Sequence, residues 1–447
     1  MSFVETIMKI KERSLWLTVV GAGYVGLPTA ALFANAGFHV DLSDLRPEII
    51  NMVNNGSNFV KELGLHDIVS VNVKAGRLRG RLNHIDYSRT NAILICVQTP
   101  MNEEKKPNLQ FMLNCIEDIG KKMRRGTLVV VCSTIPSGTM KGKIKPLLES
   151  LSGLKADSEF YLVFSPERIA PGKALSEFTE GTRLVGGVGQ NSSQIGAELF
   201  RTVCEKVLVT DATVAEVAKL AENTFRDINI AFANQLALLC EQLDTDVMAV
   251  IQVANTHPRV SIHLPGPGVG GPCLTKDPYY LLDGIDISPS ADIITTSRVI
   301  NDQMSEHVVT LVTRALMSIG KKVAKSQISI LGVTYKKDID DSRNSPSEPI
   351  TRSLIRLGSQ VVVFDPCCPH ESFGVKRSQS LEEAITGSDC IVIVTDHSEF
   401  LNMDLQKIKS LMKNKSIIVD CRRIIDHTCA EKAGFLYYGL GRGNQKF

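Results

Sequence analysis

Nothing in this 447-residue chain approaches the run of about 20 apolar residues that a membrane-spanning helix needs. The opening segment, MSFVETIMKIKERS, mixes charges with apolar residues and has no long apolar centre, so it does not read as a secretion signal. Charge of one sign is missing too. The 50 Lys and Arg against 48 Asp and Glu leave a formal net charge of +2, too little to draw nucleic acid or an anionic membrane surface. The 11 cysteines are scattered apart from the pair Cys367 and Cys368, and no CxxC arrangement occurs, so no metal centre is expected. Reduced thiols and a cytoplasmic location are the expectation. Low-complexity tracts and short-period repeats are absent as well.

An apolar content of 43% with 22% charged residues is that of an ordinary soluble protein, and the length suits two or three domains. Short β-branched runs recur in the first part: LWLTVV, FHVDLS, AILICV, TLVVVCS, FYLVFS and KVLVT. Amphipathic stretches such as LQFMLNCIEDIGKKM lie between them. That alternation predicts a parallel sheet with helices on both faces, over residues 1–211. Residues 214–243 contain neither Gly nor Pro and predict one long helix. Further helices are expected near 245–255 and 291–319, which makes 212–320 an all-α spacer or dimer surface. Alternation resumes with QISILGV, QVVVFDP, CIVIVTD and SIIVDCR, a second, smaller α/β domain over 321–447. The fold class is therefore α/β, two parallel-sheet domains joined by a helical one.

Gly21, Gly23 and Gly26 of GAGYVG directly follow the strand LWLTVV and open a helix, as a dinucleotide site requires. Such glycines allow a tight turn, close approach of the pyrophosphate and close helix packing, with the helix N-terminus towards the anion. Tyr24 and Val25 complete the loop. Asp44 closes the second strand, where a carboxylate accepts from an adenosine ribose and repels a 2′-phosphate, favouring NAD; Arg46 nearby weakens that discrimination. Thr99, Ser133 and Thr134 also stand at strand ends, as ligand contacts or as plain turn residues. Glu167, in SPERIAPG after FYLVF, is a candidate general base, with Arg168 beside it. Lys219 and Asn223 lie four apart on the long helix; from the residues alone an ordinary polar face outweighs an oxyanion-stabilising pair. The loop GPGVGGPCLTKD, with Gly266, Gly270, Cys273 and Asp277, is a poor place for a small buried hydrophobe. It suits a thiol that holds a carbonyl carbon covalently between two oxidations.

These motifs, in order from GAGYVGLP through VQTP, STIPSGT, SPER, KLAENTF, PGPGVGGPCLTKD and GVTYKKDIDDSRNSPS to VDCRR, make the chain resemble the UDP-glucose/GDP-mannose dehydrogenases over nearly its whole length. The resemblance implies two Rossmann-like domains, NAD in the first, the nucleotide sugar held largely by the second, and a homodimer built on the central helix. It assigns the nucleophile to Cys273, its partner to Asp277, a catalytic pair to Lys219 and Asn223, the acid/base to Glu167 and water positioning to Thr134. It further implies nucleotide-sugar contacts at Tyr335 and Lys336, a residue near the cofactor at Arg343, an arginine crossing the dimer at Arg259, and a substrate contact at Arg422 or Arg423. UDP-glucose members carry an acid four positions beyond the SPE glutamate, where this chain has Pro171. That departure points to the N-acetylhexosamine branch, with UDP-N-acetylmannosamine as expected substrate and UDP-N-acetylglucosamine or UDP-glucose as alternatives.

Overall fold

The computed structural model describes residues 1–60, 62–83, 85–169, 172–285 and 292–443. Pro171 and Ala291 therefore lie outside the described residues. Two compact units emerge, Met1–Glu222 with Tyr279–Asp286, and Asn223–Pro278 with Ile287–Phe447.

The first unit is built on eight strands: β1 (Trp16–Val20), β2 (His39–Asp44), β3 (Leu78–Leu82), β4 (Ala92–Ile95), β5 (Leu128–Val131), β6 (Tyr161–Phe164), β7 (Thr182–Gly187) and β8 (Lys206–Asp211). They run in the order β3-β2-β1-β4-β5-β6-β7-β8. All neighbours are parallel except β6 and β7. Successive residues divide between two cores. Ala92 and Leu94 of β4 pack on one side, Ile93 and Ile95 on the other. Burial on both faces explains why these strands read as unbroken apolar runs. Two strands escaped the sequence reading. β3 (LRGRL) is a polar edge strand, and β7 carries Arg183 and two glycines, so neither has an apolar run.

The second unit repeats the plan with β9 (Gln327–Leu331), β10 (Gln360–Phe364), β11 (Lys376–Arg377), β12 (Cys390–Ile393), β13 (Ile417–Asp420) and β14 (Leu436–Gly439), ordered β11-β10-β9-β12-β13-β14 and all parallel. Here too Cys390 and Val392 face one core, Ile391 and Ile393 the other. β11 is a two-residue edge strand with no apolar run, whereas β14, at the other edge, lies in FLYYG, an apolar run that the sequence reading missed. The long helix is Ala212–Gln242, and helices follow at Val247–Ala254 and Ile293–Ser318. Among the described residues, no helix is long and apolar enough to cross a membrane.

Candidate functional site

In the first unit the strand order reverses between β1 and β4, and the glycine loop sits at that switch point. The three glycines have separate reasons to be glycine. Gly21 has φ +98°, and a Cβ there would lie 2.7 Å from the Cys96 carbonyl oxygen; one on Gly26 would lie 1.7 Å from that of Gly21. A Cβ on Gly23 would meet nothing within 4 Å. Gly21 and Gly26 thus shape the turn and seat the helix Gly26–Asn35, and Gly23 leaves open backbone where a pyrophosphate would approach. Tyr24 is half exposed, its ring edge-on to Phe59, and Val25 accepts the Thr29 N–H at the start of the helix.

Asp44 Oδ2 accepts from the Ala22 N–H at 2.7 Å, and Arg46 bridges both carboxylate oxygens at 2.9 and 3.1 Å. Burial pushes the Asp44 carboxyl up, but the Arg46 and Ala22 bonds outweigh it and hold the group below its ordinary value. Arg46 is therefore turned onto Asp44 and lies over the Phe59 ring.

Further along the strand ends, Thr99 donates to the Thr134 carbonyl at 2.7 Å, and Tyr280 donates to the Thr99 carbonyl at 2.8 Å. Glu167 follows β6. Its Oε1 accepts the Arg168 N–H and its Oε2 the Arg183 guanidinium, both at 2.8 Å. The Arg168 side chain turns away to Glu222 at 2.6 Å. Lys219 is buried in the long helix. One turn earlier, fully buried Glu216 accepts from Gly138 N and Met140 N at 2.8 and 2.7 Å, bracing the loop that begins at Thr134. Burial pushes the Glu216 carboxyl up to about 7 against those two bonds.

In the second unit, Cys273 is exposed and heads a tight turn, its carbonyl accepting the N–H groups of Lys276 and Asp277 at 3.0 and 2.8 Å. Asp277 is buried, and its Oδ2 accepts from Asn223 at 2.6 Å. Cys273, Asp277 and Asn223 are thus brought together. The glycines before Cys273 are demanded by contact. A Cβ on Gly270 would lie 2.6 Å from the Tyr335 Cβ, and one on Gly271, φ +86°, would lie 2.7 Å from the Tyr335 ring. Arg343 pairs with Asp341 at 2.8 Å, and that bond raises its pKa. Lys336 is exposed. Arg422 lies against Gly266 and donates to the Val394 carbonyl at 2.9 Å, whereas Arg423 is held by Asp246 at 2.6 Å. Arg259 is exposed.

Sequence reasoning missed what holds this loop. Asn234 accepts the Gly266 N–H at 2.9 Å and donates to Asn301, and Asn301 donates to Asp227, which also takes Arg298. All four side chains are buried on the long helix and on Ile293–Ser318. Asparagines inside a helical pattern were the available signal, since amides there need specific partners.

One further cluster, Asp338, Cys367 and His397, gathers three atoms of metal-ligating type. Hydrogen bonds account for it. His397 Nδ1 accepts the Asp338 N–H at 3.1 Å, which leaves the proton on Nε2, 2.9 Å from Asp365. We read it as a tie between loops.

Comparison with known proteins gives matches along most of the chain. The profile of the UDP-glucose/GDP-mannose dehydrogenase family matches in three parts: its NAD binding domain at 16–204, its central domain at 213–303 and its UDP binding domain at 329–427. A UDP-N-acetyl-D-mannosamine dehydrogenase of Pyrococcus horikoshii is 38% identical over 429 residues, 96% of this chain and 99% of its own. An NDP-N-acetyl-D-galactosaminuronic acid dehydrogenase of Ralstonia solanacearum is 34% identical over 91% of this chain and 95% of its own. Among solved structures, the Pyrococcus horikoshii UDP-D-ManNAc dehydrogenase superposes with a TM-score of 0.89 at 37% identity, covering 96% of this chain and 99% of that one.

Proposed function

Because this chain belongs to the UDP-glucose/GDP-mannose dehydrogenase family, we propose that it oxidises the C6 alcohol of UDP-N-acetyl-D-mannosamine to the uronate. That it is a nucleotide-sugar dehydrogenase using NAD follows from the family itself. The choice of sugar is supported by the Pyrococcus horikoshii relative and by Pro171 standing where UDP-glucose members have an acid. Residues 1–211 would carry NAD, 212–320 the central helices and 321–447 the nucleotide part of the substrate.

Gly21, Gly23, Tyr24, Val25, Gly26 and Asp44 hold the dinucleotide in this reading, and the open backbone at Gly23 is what fits them to it. Bound NAD supplies the hydride acceptor for each of two oxidations. Lys219 and Asn223 steady the C6 oxygen as it loses its proton and the carbon its hydride. The Cys273 thiolate adds to the aldehyde carbon, forming a C–S bond. Loss of a second hydride turns this thiohemiacetal into a thioester, and water breaks the C–S bond and returns the thiolate. Glu167 or Asp277 takes the proton of that water, which Thr134 positions. One alcohol, two NAD and one water give one carboxylate, two NADH and three protons. Arg168, Arg259, Gly266, Gly270, Tyr335, Lys336 and Arg422 would contact the substrate, and Arg343 the cofactor side. The observation that carries the reading is the Asp277 brace, which links Asn223 to the turn of Cys273.

A homodimer on the long helix is part of the same proposal. Phe225, Phe232 and Leu239 recur at seven-residue intervals and remain 66%, 51% and 46% exposed, an apolar stripe suited to a second copy. A monomer in sedimentation would remove that part.

The test of function is a panel of UDP-sugars followed at the NADH absorbance. UDP-N-acetylmannosamine should exceed UDP-glucose in kcat/KM by about a hundredfold or more, the scale of a mismatched polar substrate group. It should yield two NADH per sugar, and Cys273→Ser should abolish uronate release while NAD still binds. UDP-glucose as best substrate would overturn the choice of sugar. One NADH per sugar would overturn the covalent route.

A further inference from the structure

Glu167 is gripped by a residue that the chemistry above does not use. Arg183 projects from β7, the strand antiparallel to β6, and its side chain is only 4% exposed. Its Nε donates to Ser165 Oγ, one terminal nitrogen to the Ser165 carbonyl and the other to Glu167 Oε2, each at 2.8 Å. The rings of Phe178 and Phe200 lie 4.8 and 4.7 Å from its guanidinium carbon. The fork therefore has one orientation, fixed by two aromatic faces and by the backbone at the end of β6. Arginine keeps its charge in a protein, and a buried cation needs a counter-charge held in place. Among the described residues, Glu167 is the carboxylate paired with it. The two oxygens of Glu167 are thereby made unequal. Oε2 is tied to the buried charge of Arg183, whereas Oε1 accepts a neutral backbone N–H, that of Arg168, and so is left the more available to a proton.

We propose that Arg183 is the positioning residue of Glu167: it pins Oε2, so that Oε1 is the oxygen that takes the proton of the attacking water. The proposal rests on the reading of Glu167 as the base of the hydrolytic step. Lysine can replace the fork only in part, because an ammonium keeps the charge but lacks the planar pair of donors that reaches Ser165 and Glu167 together.

A double-mutant cycle tests it, on the full chain with NAD and the best UDP-sugar. The wild-type yield of NADH per sugar checks the reaction itself before the cycle is read. Arg183→Gln should lower kcat about a hundredfold, the cost of misplacing a reacting group by about 1 Å, with KM for NAD unchanged. Arg183→Lys should recover part of that loss. In a Glu167→Gln background Arg183→Gln should cost nothing more, because it acts only through the carboxylate. A folded Arg183→Gln enzyme at wild-type kcat, or losses that multiply across the cycle, would overturn the proposal. Thermal midpoint and NAD affinity report folding, and Arg183→Lys carries the same cycle if the glutamine variant does not fold.

Discussion

Both sheets place their first six strands in the same relative order, and in both the second strand leads to an aspartate: Asp44 closes β2 and Asp365 follows β10. The two carboxylates have opposite employment. Asp44 is partly exposed beside an open glycine loop, with the backbone N–H groups of Ala22 and Arg46 and the Arg46 guanidinium as partners. Asp365 is fully enclosed and accepts from Val333 N, Thr334 N, Cys367 N and Cys368 N as well as meeting His397. Topology puts a carboxylate at the crevice in each case. The loop after the first strand decides its use. GAGYVG leaves backbone open, whereas GVTYKKDIDDSR folds over its aspartate and buries it. A shared fold thus does not confer a shared binding mode, and the second sheet has to recognise its nucleotide by other groups.

That contrast can be broken by mutation. The largest effect is expected from Asp365→Asn. Each oxygen of Asp365 faces at least two N–H groups, so an amide must turn its NH2 towards donors on one side. Each buried N–H left without an acceptor costs about 1–3 kcal/mol, so two of them cost roughly 2–6 kcal/mol. The unfolding midpoint should fall sharply while NAD affinity is kept. An unchanged midpoint would mean that Asp365 is not a brace. The acid limb sharpens this. Burial pushes the Asp365 carboxyl up, but His397 and the backbone N–H bonds outweigh it and hold it below its ordinary value. A depressed folded value means stability that is present above the unfolded value of about 4 and is lost as pH falls through the folded one. The wild type should therefore lose stability below about pH 4, and the asparagine variant should lack that component.

Next in size is Gly26→Ala. The added Cβ would overlap the Gly21 carbonyl, with a cost of about 3 kcal/mol, the upper end for overpacking. NAD titration should show a large loss of affinity. Retention of wild-type affinity would show that the helix can withdraw without disturbing the cradle.

The smallest is Asp44→Ala. Removing a hydrogen bond to a charged group is worth about 1.5–3 kcal/mol, roughly a tenfold to hundredfold weakening of NAD binding, with discrimination against NADP relaxed. Unchanged affinity in calorimetry would make Asp44 a brace like Asp365, and the comparison would collapse.

The sequence alone determined the parts that depend on local pattern. Nine runs became β1, β2, β4, β5, β6, β9, β10, β12 and β13, because strands buried on both faces must be apolar throughout, and KVLVT became the more exposed β8. The long helix followed from 31 residues without Gly or Pro, and the glycine loop from spacing next to a strand. The motif order also exposed Cys273, Asp277 and Asn223 as candidates. What only the tertiary structure decided was partnership. Arg183 gripping Glu167, Glu216 bracing the loop of Thr134, Asn234 holding Gly266 and Asp365 closing over its own loop all join residues distant in sequence. Local propensity is a property of neighbours along the chain, whereas a buried charge or amide is satisfied by whichever group the fold brings within about 3 Å, and no spacing rule encodes that meeting.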